Sequence, residues 1–238
     1  KGVMNILFLS TWFPYPPDNG SKIRVYHLLR ALGQRHQVAL LSFAWDTARP
    51  EGIDAATLGC ASVDVVRCNP FEANQASTLR TFLSSRPVVS RTIPAMADLV
   101  SETLRVHSVD AVIASTEMTA EYALQAPPGV ARVLEEHNSM ARWMHERYRE
   151  QASPLQRARC WVSWQKVRRY EARLFRKFDR VTMVSEQDRA ASLTDLPGYR
   201  GSVDVVPNGV DCQRNRPGLV QPVAHRLVYN GALTYSAN

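Results

Sequence analysis

Short runs of consecutive apolar residues alternate along this chain with longer stretches in which apolar positions recur every three or four residues. Strands covered on both faces require the first pattern, and helices with one buried face require the second. The alternation therefore predicts an α/β fold, a Rossmann-like parallel sheet flanked by helices. Strands are expected over 5–10, 37–43, 63–67, 111–115, 131–136, 180–185 and 203–206. A first helix should follow Asn19 and Gly20, with Ile23, His27, Leu28 and Ala31 on one face and Gly33 ending it. A second is expected over 117–125, closed by Pro127, Pro128 and Gly129. From 139 to 177 the pattern is helical almost throughout, with a break at Ser153 and Pro154.

Between 46 and 94 the pairs Arg49-Pro50, Asn69-Pro70 and Arg86-Pro87 interrupt the pattern, and no long element is expected there. After Pro207-Asn208-Gly209 comes a loose segment holding Pro217, Gly218 and Pro222, then a strand expected over 226–229 that runs into Asn230-Gly231. A chain of 238 residues has room for one large core plus a fragment, since single cores rarely grow beyond about 250 residues. The expected organisation is a complete domain over 1–211, then a linker and the first strand of a second domain over 212–238.

Charge changes this picture by locating a partner surface. The formal charge is +7, and the segment from Arg142 to Arg180 holds 12 Lys/Arg against 4 Asp/Glu, so the basicity belongs to that helical stretch. A phosphorylated small molecule, an anionic membrane or a nucleic acid would each suit such a charge. No nucleic-acid recognition motif accompanies it, and no nucleic-acid partner is expected. Trp161 and Trp164, with Trp143 and Arg157, Arg168, Arg169 and Arg173 around them, have two readings. Either a basic amphipathic face rests on lipid headgroups, or the tryptophans pack inward and the arginines are solvated.

Cys60, Cys68, Cys160 and Cys212 form no C-x-x-C pair and have no zinc-type spacing with the histidines, which suggests free thiols in a reducing compartment. No run reaches the roughly 20 apolar residues of a membrane span. A cytoplasmic location is expected, with peripheral docking on the inner face of the membrane as an option.

Ligands of parallel sheets gather where loops leave the carboxyl ends of the strands. The first such loop runs from Ser10 through Trp12, Pro14, Pro16, Pro17 and Asp18 to Asn19, Gly20, Ser21 and Lys22, and it ends at a helix start. Unpaired amides and the helix dipole make that turn a candidate phosphate site, with Gly20 allowing close approach and Lys22 and Arg24 adding charge. The plainer alternative is a Pro-rich turn with Asn19 as an N-cap. G-x-G-x-x-G and G-x-x-x-x-G-K-[ST] are both missing, so dinucleotide and P-loop enzymes lose rank. No D-x-D pair is present to hold a divalent ion, and neither a metal nor a cofactor is expected.

The fifth strand ends in Glu135-Glu136-His137-Asn138-Ser139, which sets an imidazole at the mouth of the sheet. Such a histidine can hydrogen-bond a substrate hydroxyl or balance charge at a reacting centre, or it can be structural, with Asn138 or Ser139 capping the next helix. Glu135 and Glu136 face opposite ways on a regular strand, so at most one shares that pocket, and Glu136 is taken as the candidate beside Asn138. Ser185 and Glu186 open a helix after the sixth strand, and Ser115, Thr116 and Glu117 do so after the fourth; capping is the simpler role for each set.

Several of these segments together resemble the N-terminal domain of family 4 retaining glycosyltransferases of the GT-B fold. They are the Ile6–Ser10 strand with its loop to Gly20, Glu135-Glu136-His137-Asn138, the strand leading to Val184-Ser185-Glu186, and Val205-Val206-Pro207-Asn208-Gly209-Val210-Asp211. Leu227 to Gly231, with Tyr235 and Asn238, resembles the start of that family's nucleotide-binding domain. The resemblance implies transfer of a sugar from a nucleotide diphosphate donor, as co-substrate, to a glycan, lipid-linked or small-molecule acceptor. Retention of configuration and independence of metal are implied too.

His137 would be the catalytic group near the donor sugar. Asn19, Gly20, Ser21, Lys22, Glu136, Asn138, Ser185, Glu186, Asn208 and Gly209 would contact substrate. The family's paired glutamates belong to the second domain, so residues 1–238 alone are expected to be inactive. The competing class is a non-catalytic basic module that docks on anionic membrane or nucleic acid.

Overall fold

The structure is a computed structural model and describes residues 2–45, 53–71, 92–212, 215, 216, 218, 221 and 223–227. Seven parallel strands form one sheet in the order β3-β2-β1-β4-β5-β6-β7. They are β1 Asn5–Ser10, β2 Gln37–Ala44, β3 Ser62–Arg67, β4 Ala111–Ser115, β5 Ala131–Glu135, β6 Arg180–Met183 and β7 Ser202–Val205. The helices are α1 Gly20–Gly33, α2 Pro94–Val106, α3 Glu117–Ala123, α4 Met140–Glu150, α5 Pro154–Phe175 and α6 Glu186–Thr194. The expected α/β class, parallel sheet and central strands are all present.

Alternation along β1 divides the core between the two faces of the sheet. Ile6 and Phe8 face α1, where Val25 and Leu29 pack with Val38, Leu40 and Leu58. Leu7 and Leu9 face the other way, with Met96 and Val100 of α2, Tyr122 of α3 and Tyr170, Leu174 and Phe175 of α5. Complete burial of each such side chain contributes roughly 1.5–3 kcal/mol, so β1 is the strand on which both halves of the core depend. Gly33 has a packing reason as well as a helix-ending one, because a Cβ there would lie 1.8 Å from the carbonyl oxygen of Gly59.

Two differences from expectation have physical reasons. Helix α2, which the sequence pattern did not anticipate, begins at Pro94, where the interrupted stretch ends, because in a first turn proline lacks only a hydrogen bond the helix does not make. Strands β5 and β6 stop short of Glu136 and Ser185, since Ser139 and Ser185 cap the helices that follow and the chain must turn before them. The break expected at Ser153 and Pro154 separates α4 from α5.

The chain divides into two compact units, 1–207 and 208–238. In the second, Asn215 donates to the Asp211 carbonyl at 2.8 Å and Leu227 is exposed. Half of the strand expected over 226–229 lies outside the described residues, as do Arg49-Pro50, Arg86-Pro87, Asn230-Gly231, Tyr235 and Asn238.

Candidate functional site

The strand order reverses between β1 and β4, whose ends Ser10 and Ser115 are register partners. A crevice opens at such a reversal because the connections leave in opposite directions. Here the turn after β1 meets the turn after β4, with the Thr11 and Thr116 hydroxyls 3.0 Å apart. Thr116 holds a φ of 72°, a conformation that disfavours side chains bearing a Cβ, while its amide donates to the Glu135 carbonyl at 2.7 Å.

His137 follows β5 at this crevice, and both of its nitrogens are engaged. Nδ1 lies 3.2 Å from the Ser21 hydroxyl in the first turn of α1. Nε2 lies 3.1 Å from Glu135 Oε2 and 3.2 Å from the Ser115 hydroxyl. Trp12 stacks against the ring at a centroid distance of 6.2 Å. The structure thus brings together the two segments singled out in the sequence, the turn entering the first helix and the strand-end histidine.

Glu135 organises this cluster. Arg24 Nε donates to its Oε1 at 2.6 Å and the Ser115 hydroxyl donates to its Oε2 at 2.8 Å. Burial raises its carboxyl pKa, but the hydrogen bond and charge of His137, with those of Arg24, overcome this and bring it down to about 2. The carboxylate is therefore ionised near neutral pH.

Glu136 does not join the imidazole, which corrects the choice made between the two glutamates. It is buried on the other side of the strand, where burial and the carboxylates of Glu117, Glu171 and Glu135 push its carboxyl well above the ordinary range. Its Oε1 is buried without a hydrogen-bond partner among the described residues. Glu171 is raised to about 8, by burial and then by Glu117, although the amides of Ala141 and Met140 oppose the shift. The Tyr170 hydroxyl is pushed up in the same surroundings, by burial first and then by Glu121, Glu117 and Glu136. Glu135 and His137 share strand parity, and that i, i+2 spacing was the sequence signal that separates Glu135 from Glu136.

The other expected residues distribute as follows. Asn19 caps α1, its side chain accepting the Lys22 amide at 3.1 Å while its carbonyl accepts the Ile23 amide. The helix's other first-turn amides, those of Gly20 and Ser21, have no intrahelical partner by construction. A side chain at Gly20 would meet nothing within 4 Å among the described residues, so neither packing nor φ accounts for the glycine. Lys22 is 97% buried and its ammonium is 3.2 Å from Asp18, and Arg24 is held by Glu135, so both cations are already engaged in ion pairs.

Asn138 is exposed and Ser139 is the cap of α4. Ser185 caps α6 by accepting the Asp188 amide, and Glu186 pairs with Arg189 at 3.1 Å. Asp188 ties the two helix starts together, accepting from Arg142 at 3.2 Å and from the Ser185 hydroxyl at 2.6 Å. Asn208 and Gly209 belong to the second unit and are exposed. Among the described residues, no three His, Cys, Asp or Glu side chains are placed to hold a metal ion.

The basic segment splits the two readings of its tryptophans. Trp164 packs between the helices, 4.4 Å from His145 and 5.9 Å from Tyr148 by ring centroids, with Arg168 over it. Trp161 is 46% exposed and Leu155, at the start of α5, is 82% exposed. No helix among the described residues is long and apolar enough to cross a membrane.

A Rossmann-like lobe with this strand order and a crevice at the β1/β4 reversal is the architecture of one half of a GT-B glycosyltransferase. Solved structures bear out the fold. The sucrose-phosphate synthase of Thermosynechococcus elongatus matches with a TM-score of 0.55 at 15% identity, over 88% of this chain and 49% of that one. A Phytolacca americana UGT2 complexed with UDP-2fluoro-glucose and pterostilbene matches with a TM-score of 0.51 at 13% identity, over 90% and 57%. A UDP-glucosyltransferase from Polygonum tinctorium capable of glucosylating indoxyl gives 0.51 at 13%, over 87% and 53%. At such identities the likeness concerns the fold, and the chain spans about half the length of these proteins. No curated protein sequence matches the chain. The model of Glycosyltransferase Family 4 matches residues 18–214, and the chain belongs to that family.

Proposed function

We propose that this domain is the acceptor-side lobe of a retaining glycosyltransferase, which moves a sugar from a nucleotide diphosphate donor to a glycan, lipid-linked or small-molecule acceptor. The observation that carries the reading is the His137 imidazole 3.2 Å from Ser21, at the start of α1 and at the reversal of the sheet. The amides of Gly20 and Ser21, backed by the positive end of the α1 dipole, are suited to a departing diphosphate. Lys22 and Arg24, being paired already, add little to that task. The open space above Gly20 gives a phosphate group access to the backbone. His137 is placed to hydrogen-bond a sugar hydroxyl or balance charge at the reacting carbon. On this reading no metal is required.

The test uses the chain extended through a nucleotide-binding second lobe. It is incubated with nucleotide diphosphate hexoses and candidate acceptors, and release of the nucleoside diphosphate is followed. Transfer that survives EDTA, gives a product with the donor's anomeric configuration by NMR, and is lost in His137→Ala is the expected result. Residues 1–238 alone should give none, and turnover by them would overturn the division of labour between the lobes.

A second role is favoured by one observation, the exposure of Leu155 and Trp161 beside Arg157 and Arg159 on α5. On this reading the hairpin of α4 and α5 docks on anionic lipid at the cytoplasmic face of the membrane. Sedimentation with phosphatidylglycerol vesicles should be salt-sensitive and weaker in Leu155→Ser and Trp161→Ala, and pure phosphatidylcholine vesicles should not bind.

A further inference from the structure

We infer that Glu135 is a positioning residue that fixes the His137 imidazole with its proton on Nε2, so that Nδ1 offers a lone pair to a substrate hydroxyl at the start of α1. The inference rests on the proposed transfer reaction for its substrate, but not for its geometry. An ionised carboxylate only accepts hydrogen bonds. The Ser115 hydroxyl has its own proton directed at Glu135 Oε2, at 2.8 Å, so toward His137 its oxygen can only accept as well. Both neighbours of Nε2, at 3.1 and 3.2 Å, are thus acceptors, and Nε2 must carry a hydrogen.

In the neutral ring Nδ1 is then bare, and the Ser21 hydroxyl 3.2 Å away donates to it. Nδ1 has one lone pair, so a substrate hydroxyl would bind there by displacing the Ser21 hydroxyl. A lone pair repels a phosphate oxygen and attracts an O–H, so the neutral ring selects a sugar hydroxyl over the diphosphate, which is left to the amides of Gly20 and Ser21. The carboxylate has little freedom to turn away. Arg24 holds Oε1 at 2.6 Å, Ser115 holds Oε2, and the Thr116 amide holds the Glu135 carbonyl. Trp12 limits the ring on one face. Carboxylates that orient a metal-ligating histidine are worth roughly 10–100-fold in activity, and an effect of the same order is expected here.

The tautomer can be read without any ligand. The chain of residues 1–238, labelled with nitrogen-15 in histidine, is examined by two-bond proton–nitrogen correlation at a pH above the ring's titration, and His137→Asn identifies the signal. The expected result is a protonated Nε2 and a bare Nδ1 in the wild type, with Glu135→Gln shifting the ring toward a mixture. A protonated Nδ1 in the wild type, or the same tautomer population in Glu135→Gln, would overturn the inference. If Glu135→Gln does not fold, the wild-type spectrum and Ser115→Ala decide, the latter expected to weaken the preference.

In the two-lobed enzyme, Glu135→Gln should lower kcat about 10–100-fold while the donor KM changes less than about twofold. An equal rise in donor KM with unchanged kcat counts against positioning. Absence of transfer by the wild type with every donor tested would sink the proposed function and leave the tautomer result standing.

Discussion

Glu135 and Glu136 are neighbours in sequence at the end of one strand, yet they occupy opposite electrostatic settings. Glu135 lies on the α1 side, where Arg24, Ser115 and His137 satisfy a buried negative charge. Glu136 lies on the α3 and α5 side, where burial and the carboxyls of Glu117 and Glu171 hold its own well above the ordinary range. The difference teaches that burial alone does not set a carboxyl's state. Both are removed from water, and the charge of what replaces the water decides the outcome.

The contrast makes its largest prediction for stability. Glu135→Ala takes the carboxylate away from the buried Arg24 guanidinium, the Ser115 hydroxyl and His137 at once, and urea unfolding should show a loss of about 3–5 kcal/mol. Glu136→Gln keeps the shape and a hydrogen-bonding group while removing an ionisable one, so near pH 8 it should be within about 1 kcal/mol of wild type or more stable. A comparable loss in both variants would erase the distinction.

A pH series sharpens the same contrast. The carboxyl of Glu171 is raised from its ordinary 4.5 to about 8, so its contribution is fully present below pH 4.5 and is lost as pH rises through 8. Glu136, raised well above 4.5, acts in the same direction. Glu135, lowered to about 2, contributes above pH 4.5 and loses that contribution as pH falls through 2. Unfolding midpoints should therefore decline from pH 5 to pH 8, and the decline should be visibly shallower in Glu171→Gln. Strong acid should destabilise Glu135→Gln less than it does wild type.

The smallest effect concerns the backbone that joins the two settings. Thr116, between Ser115 and Glu117, holds its φ of 72° at a cost of about 1–3 kcal/mol, which Thr116→Gly would relieve. The lost hydrogen bond to Thr11 takes back about 0.5–1.5 kcal/mol. A net change within about 1 kcal/mol by urea unfolding is expected, with a looser crevice shown by faster amide exchange at Thr116 and Glu135. Unchanged exchange would separate the strained turn from the site.

Much of this was legible before any coordinates. Continuous apolar runs located the strands, because a strand covered on both faces has no other economical composition. Asn19 before Gly20 located a helix start and Ser153-Pro154 located the break between two helices, because a cap and a proline both act locally. Helix α2 was hidden because a proline in a first turn resembles a proline that ends an element until the rest of the helix is seen. Lys22 looked like a free cation, and only its fold-back onto Asp18 showed otherwise.

The choice between Glu135 and Glu136 marks the boundary between the two kinds of knowledge. Alternation along the strand, a property of covalent geometry, determined that they face opposite sides and that Glu135 shares a side with His137. Which side carries α1 with Arg24 and Ser21, and which carries Glu117 and Glu171, depends on contacts between residues from 19 to more than 100 positions apart. The sequence therefore determined the strands, the caps, the family and the candidate histidine. Tertiary structure decided the charges, because a buried group's protonation follows from neighbours that only packing brings within reach.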